Sequence, residues 1–216
     1  MSKYVENVIG VSNYTLKQHT KIRYFKNAKK HVIYTSPPLT KCTVKNTTEV
    51  VFGMLGRLHP TKGQYQIIEI FNSYPQLKLI VSGTGPTDYV QKCKSLSVHS
   101  KNIIFTGETK PNEFFNKINV LIINSLWKEP FPRTLVESFA NATPVMASSN
   151  GGTKEMIIPN KNGFVYNNYE ELISYISFVN SNPASLEPMQ DFIKKNIQNW
   201  PDEIDMHLDV YRSMLK

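Results

Sequence analysis

Leu77–Lys78–Leu79–Ile80–Val81, closed at once by Ser82–Gly83–Thr84–Gly85–Pro86, is a short aliphatic run that ends in a glycine-rich turn. A short apolar run bounded by turn residues predicts a strand buried on both faces, and a polar helix is expected next, over about 87–98. The same strand–turn–helix unit recurs on either side. Upstream, Val50–Leu55 reads as a strand and Gly56–Gly63 as a turn. Residues 64–74 then read as a helix with Ile67, Ile68 and Phe71 on one face, stopped by Pro75. Downstream, strands are expected at Asn102–Thr106, Val120–Ile123, Pro144–Ala147 and Gly163–Tyr166. Helices are expected over Pro111–Lys117, from the Phe131–Pro132 break to Asn141, and from Gly151–Gly152 through Ile158. Three helical stretches near 169–181, 184–198 and 201–215 close the chain. Apolar strands alternating with helices predict an α/β fold, a doubly wound, Rossmann-like parallel sheet covered on both faces. Ligands of such a sheet sit at the carboxyl ends of its strands.

Residues 1–45 read differently. Asn7–Val11 and His31–Tyr34 are strand-like, and Ser12 is a good N-cap for a helix over 13–25. This β-α-β piece is too small to bury both faces of a sheet alone, so the chain divides into a small N-terminal piece over 1–45 and a doubly wound domain over 46–216. Charge divides the same way: residues 1–45 hold nine of the 25 Lys and Arg but a single acid, Glu6. The rest of the chain is balanced, which argues against a uniformly basic nucleic-acid binder. The basic end suits an anionic membrane surface, an acidic partner or another domain, or is simply a solvated face.

A hydrophobic fraction of 40% and an aromatic fraction of 11% suffice for a packed core. No apolar run approaches a membrane span and the N-terminus lacks a signal-like stretch, so a cytoplasmic protein, soluble or peripheral to a membrane, is expected. Cys42 and Cys93 fit ordinary thiols in a reducing compartment. His19, His31, His59, His99 and His207 show no ligand spacing, and no metal is expected.

Two motifs carry chemistry. In Gly56–Arg57–Leu58–His59–Pro60–Thr61–Lys62–Gly63, a guanidinium and an ammonium sit five residues apart on one turn before a helix start, suited to straddling two phosphates. In Glu129–Pro130–Phe131–Pro132–Arg133–Thr134–Leu135–Val136–Glu137, two carboxylates flank a Phe-Pro break that runs into a helix. If both face one pocket, one can accept from sugar hydroxyls and the other from ribose hydroxyls, while the amides of 133–135 point at phosphate. Together the motifs predict a nucleotide-sugar site. The alternatives are two surface cations, and a helix whose acids favour its own dipole. Ser82–Gly83–Thr84–Gly85 starts like a dinucleotide fingerprint, but Asp88 stands at the third glycine position, which disfavours a nicotinamide-dependent oxidoreductase. A tight turn that lets a base approach the backbone is the simpler reading, with Thr106–Gly107 lining the same pocket.

These residues resemble the donor-binding half of a retaining GT-B glycosyltransferase of family 4. The resemblance runs through Gly56–Arg57–Leu58 with Lys62–Gly63, Leu79–Pro86, Phe105–Thr106–Gly107, Glu129–Arg133 with Glu137, Pro144–Ser148, Gly151–Gly152 with Glu155, and Gly163–Phe164–Val165. It implies catalytic roles for Arg57, Lys62 and Glu129, the cations holding the donor diphosphate as it leaves and Glu129 the transferred sugar. It implies donor contacts from Gly56, Ser82, Gly83, Thr106, Gly107, Phe131, Pro132, Arg133, Thr134, Leu135 and Glu137, the last at the ribose. No cofactor is implied, the nucleotide-sugar being a substrate and the acceptor a glycan or a lipid-linked group. Pro132 and Ala142 stand where the family commonly has glycine. Pro132 offers no N–H, and Ala142 costs about 1 kcal/mol if its backbone is left-handed. Since only a remnant of the acceptor domain is recognisable, the chain is expected to transfer weakly or not at all alone. The alternative is a non-catalytic binding subunit, or a degenerate relative, that docks a separate acceptor-binding protein.

Overall fold

The computed structural model describes residues 4–21, 25–38 and 49–215. Six parallel strands form the main sheet: β3 (Val51–Leu55), β4 (Lys78–Ser82), β5 (Ile103–Gly107), β6 (Val120–Ile123), β7 (Val145–Ser148) and β8 (Gly163–Tyr166). Their spatial order is β5-β4-β3-β6-β7-β8, every pair parallel. The chain order therefore reverses between β3 and β6, which is the switch point of a doubly wound sheet.

Alternate residues of each strand point to opposite faces, so each strand feeds two cores. Phe52, Met54, Leu79, Val81, Ile122 and Met146 pack on one side, beneath α2 (Gln64–Ser73), α3 (Thr87–Leu96) and α6 (Tyr169–Ser181). Ile80, Leu121, Ile123, Val145 and Ala147 pack on the other, beneath α4 (Pro111–Phe115), α5 (Arg133–Ala140) and α7 (Leu186–Ile197). Coverage on both faces explains why these strands read as apolar runs rather than alternating ones.

The N-terminal piece is a second, two-stranded parallel sheet, β1 (Asn7–Gly10) with β2 (Lys29–Val32), joined by α1 (Asn13–Lys21). Three expectations shift here. The first strand stops at Gly10, the second starts two residues earlier than His31, and the helix expected to reach residue 25 ends at Lys21, with Phe25–Asn27 in a turn. Residues 22–24, the boundary expected near residue 45, and Cys42 lie outside the described residues. Ser12 does cap α1, its Oγ accepting from Thr15 N at 3.1 Å. The final helix, α8 (Glu203–Met214), is tied back to this piece: Glu203 N donates to Ser36 Oγ at 2.8 Å and Ser36 N to Glu203 Oε2 at 3.0 Å. The helix expected from Gly151 through Ile158 is instead a single 3-10 turn, Thr153–Met156. No described helix is long and apolar enough to cross a membrane.

Candidate functional site

The loops after β3, β4 and β6 meet where the sheet reverses. The β3 loop runs from Gly56 into a 3-10 turn, Pro60–Lys62. His59 caps that turn, its Nδ1 accepting from Thr61 N at 3.3 Å, so its role is local. Lys62 ends the turn, and left-handed Gly63 starts α2.

The β3 and β4 loops lie against each other. Gly56 N donates to Ser82 O at 3.0 Å and Leu58 N to Thr84 O at 2.8 Å. A Cβ at Gly83 or Gly85 would come within 1.9 Å of Gly56 O or Leu58 O respectively, and Gly83 has φ +131°. The two glycines thus serve the contact between the loops as well as any ligand. Gly107 completes the layer, its carbonyl accepting from Gly83 N at 2.7 Å and Ser82 Oγ at 3.0 Å.

The β6 loop carries the buried carboxylate. Glu129 is only 7% exposed. Its Oε2 accepts from Lys62 Nζ at 2.5 Å, Trp127 Nε1 at 2.9 Å and Ser125 Oγ at 3.0 Å. Leu126 N donates to Thr61 O at 2.8 Å, pinning this loop to the Lys62 turn. Lys62 Nζ also lies 5.7 Å from the centroid of the Trp127 ring. Three donors on one carboxylate oxygen hold the group in one orientation, which makes Glu129 a preset acceptor for hydroxyl groups.

Two cavities open between these loops. One, of about 280 Å³, is lined by Arg57, Lys62, Asn124, Ser125, Glu129 and Arg133 among others, with Pro132 and Thr134 at the start of α5. It lies at the switch point, walled by β3 on one side and β6 on the other. The second, of about 470 Å³, is bounded by Ser82–Pro86, Glu108 and Thr109 and shares Leu55, Gly56 and Arg57 with the first. Arg57 is exposed and stands between them.

The structure thus brings together Gly56, Arg57, Lys62, Glu129, Pro132, Arg133 and Thr134 in one cavity, with Ser82 and Gly83 in the next. Glu137 lies one turn along α5 with Arg133 at 3.9 Å, outside both sets of lining residues. Burial pushes its carboxyl above the ordinary carboxylate range, and Arg133 pulls it partly back. Thr106 is also outside both linings. Phe131 and Leu135 turn into the core, Phe131 with its ring 5.4 Å from that of Tyr34, which leaves only their backbone to meet a ligand. Among the described residues no cluster of three or more potential metal ligands occurs. Sequence reading missed Ser125 and Trp127, which hold Glu129, and Glu108 and Thr109 in the second cavity. Their one local signal was position, directly after the ends of β6 and β5.

Residues 39–200 match the family described as glycosyl transferases group 1. The chain belongs to that family. A 42.6 kDa protein from the cps region of Klebsiella pneumoniae is 28% identical over 165 residues, 74% of this chain and 43% of that protein. Spore coat protein SA of Bacillus subtilis is 26% identical over 147 residues, 62% of this chain and 39% of its own. The chain therefore spans less than half the length of these two relatives. Among solved structures, Anabaena HepE in complex with UDP and glucose superposes with a TM-score of 0.79 at 19% identity, over 100% of this chain and 64% of HepE. The fold is accordingly the parallel α/β sheet shared with glycosyltransferases of GT-B architecture.

Proposed function

We propose that this chain is the donor-binding half of a retaining, family 4 glycosyltransferase, holding a nucleoside diphosphate sugar in the paired cavities. The observation that carries the reading is the convergence of Arg57, Lys62 and Glu129 on one cavity at the sheet's switch point. In this reading the base and ribose occupy the cavity between Ser82–Pro86 and Thr109. The diphosphate lies at Arg57 and Lys62, and the hexose-like unit lies beside Glu129. Lys62 is already bonded to Glu129, so a diphosphate recruits an ammonium whose position is set. Fixed cations that face the charge developing on the leaving group stabilise it without reorganisation. UDP is the first nucleotide to test, since HepE was solved with it.

The test is a thermal-shift and calorimetric panel of UDP-, GDP- and ADP-sugars against NAD. One nucleotide sugar should bind, and Arg57→Ala should weaken it at least about tenfold, the loss of one charge-assisted contact. Binding of NAD alone, or equal binding by R57A, refutes the reading.

The acceptor is a glycan or a lipid-linked group bound mainly outside these residues. The two-stranded sheet of β1 and β2 favours a second reading, in which the acceptor side is completed by a separate protein. A two-stranded parallel sheet is too small to stand alone, and among the described residues no further strand pairs with its edges. The basic residues of the 1–45 stretch would then meet that protein or a membrane surface. Labelled-donor assays should give weak or no transfer by the 216 residues alone, and robust turnover would refute this proposal.

A further inference from the structure

The Gly151–Gly152…Glu155 turn lines neither donor cavity, yet Glu155 is heavily engaged. Its Oε1 accepts from Tyr14 N at 2.6 Å, and its Oε2 from Asn13 N at 2.9 Å. The same Oε2 also accepts from Tyr34 OH at 3.1 Å and Asn13 Nδ2 at 3.2 Å. Asn13 and Tyr14 are the first two residues of α1, and Ser12 takes the third amide. The exposed donors at the start of this helix are thus satisfied partly by a carboxylate 142 residues along the chain, at the positive end of the helix dipole.

Two further contacts place the same N-terminal residues against the loop that carries Glu129. Gly152 N donates to Glu129 O at 2.8 Å, and a Cβ at Gly152 would sit 2.1 Å from Pro130 O and 2.8 Å from Ser12 Oγ. Ser12, Gly152 and Pro130 are therefore in direct succession, with no room for a side chain between them. Tyr34, bonded to Glu155 through its hydroxyl, packs its ring on Phe131. Burial and the neighbouring carboxylate raise the Tyr34 hydroxyl above its ordinary range, so it remains a donor.

We infer that Glu155 is a positioning residue, a latch whose carboxylate seats the N-terminal unit on the Glu129–Phe131 loop and so couples the acceptor side of the molecule to the sugar-facing carboxylate. Its effect on ligand binding rests on the donor-site reading, but the coupling itself does not. A shift of α1 moves Ser12 and Tyr34, and these bear on Gly152, Pro130 and Phe131. Of the two diphosphate contacts, Arg57 lies on the β3 loop away from this chain of contacts, and Lys62 meets it only through the Glu129 side chain. The latch should therefore act on the sugar end of the donor more than on the nucleotide.

The experiment is amide hydrogen exchange on the full chain without ligand, comparing wild type with Glu155→Ala, Glu155→Gln and Tyr34→Phe. E155A should raise exchange about fivefold at the first turn of α1, the usual scale for a lost helix cap. It should also raise exchange at the amides of Glu129, Phe131 and Gly152. E155Q, which keeps an acceptor oxygen but not the charge, should recover part of both changes, and it replaces E155A if that variant does not fold. Y34F should raise exchange at the amides of Glu129 and Phe131 with little change at α1. Faster exchange confined to α1, with Glu129, Phe131 and Gly152 unchanged, overturns the coupling. The second readout is the ratio of UDP-glucose to UDP affinity, which should fall severalfold in E155Q. An unchanged ratio overturns the effect on the sugar. If wild type binds neither compound, the donor reading fails while the exchange data still decide the latch.

Discussion

Replacing Lys62 by Met isolates the ion pair at the centre of the site. Lys62 Nζ and Glu129 Oε2 are 2.5 Å apart, with the side chains 32% and 10% exposed. At an effective dielectric of about 20, the bare attraction at that distance is roughly 6–7 kcal/mol. Most of it is offset by desolvation of the two charges. Methionine preserves the apolar stem but leaves Glu129 with only the Ser125 and Trp127 donors. Breaking a fully buried pair costs about 3–5 kcal/mol and an exposed one about 0–1. With Lys62 one-third exposed, K62M should cost about 2 kcal/mol at neutral pH, or roughly 4–8 °C in Tm for a chain of this size. Glu129→Gln removes the charge that K62M strands, so the double variant should regain about 1–2 kcal/mol relative to additivity. Urea denaturation of the four proteins of this cycle measures it. A K62M cost below about 0.5 kcal/mol, or a coupling near zero, would show that the pair is a surface contact and that Glu129 is not held ready by Lys62.

Three further outcomes follow from local geometry. Gly85→Ala places a methyl within 1.9 Å of Leu58 O and should cost about 3 kcal/mol or more in urea denaturation while weakening nucleotide binding, since the β3 and β4 loops must part; an ordinary melt with ordinary binding would deny that the loops are locked together. Ala142 has φ +46° and is buried, so Ala142→Gly trades about 1 kcal/mol of relieved strain for about 0.8 of lost burial. It should stay within about 0.5 kcal/mol of wild type, whereas Ala147→Gly, in strand β7 with no strain to relieve, should cost at least about 1 kcal/mol more on the same denaturation curve. Glu137 has its carboxyl pushed up by burial, so the folded state holds a proton the unfolded state has lost, and stability falls as pH rises through and above the ordinary carboxylate range. Glu137→Gln should flatten that part of the stability–pH curve, and an unchanged slope would contradict it.

The fold was legible because its signal is local. Val120–Ile123 and Gly163–Tyr166 appear in the structure with the bounds read from the chain, as does the helix Tyr169–Ser181. Boundaries slipped by one or two residues where a polar residue can end a strand or extend it, as at Ser82 and Ser148. The left-handed backbone of Ala142, expected if that helix ended as glycine-capped helices do, is also present. The reading overran at α1, whose expected end at residue 25 is a turn, and at the turn after Gly152, which is a single 3-10 turn.

Residue order alone determined the six strands, the alternation that makes their sheet parallel, and the cations and acids carried on the loops after them. Those properties depend on hydrophobic period and turn chemistry, which act over a few neighbours. Tertiary structure alone decided that Lys62 is bonded to Glu129, that Gly83 and Gly85 are fitted to a neighbouring loop, and that Glu155 caps a helix 142 residues away. Each of these is a contact between chain segments whose approach is set by the order of strands in the sheet, and no window of sequence contains both partners.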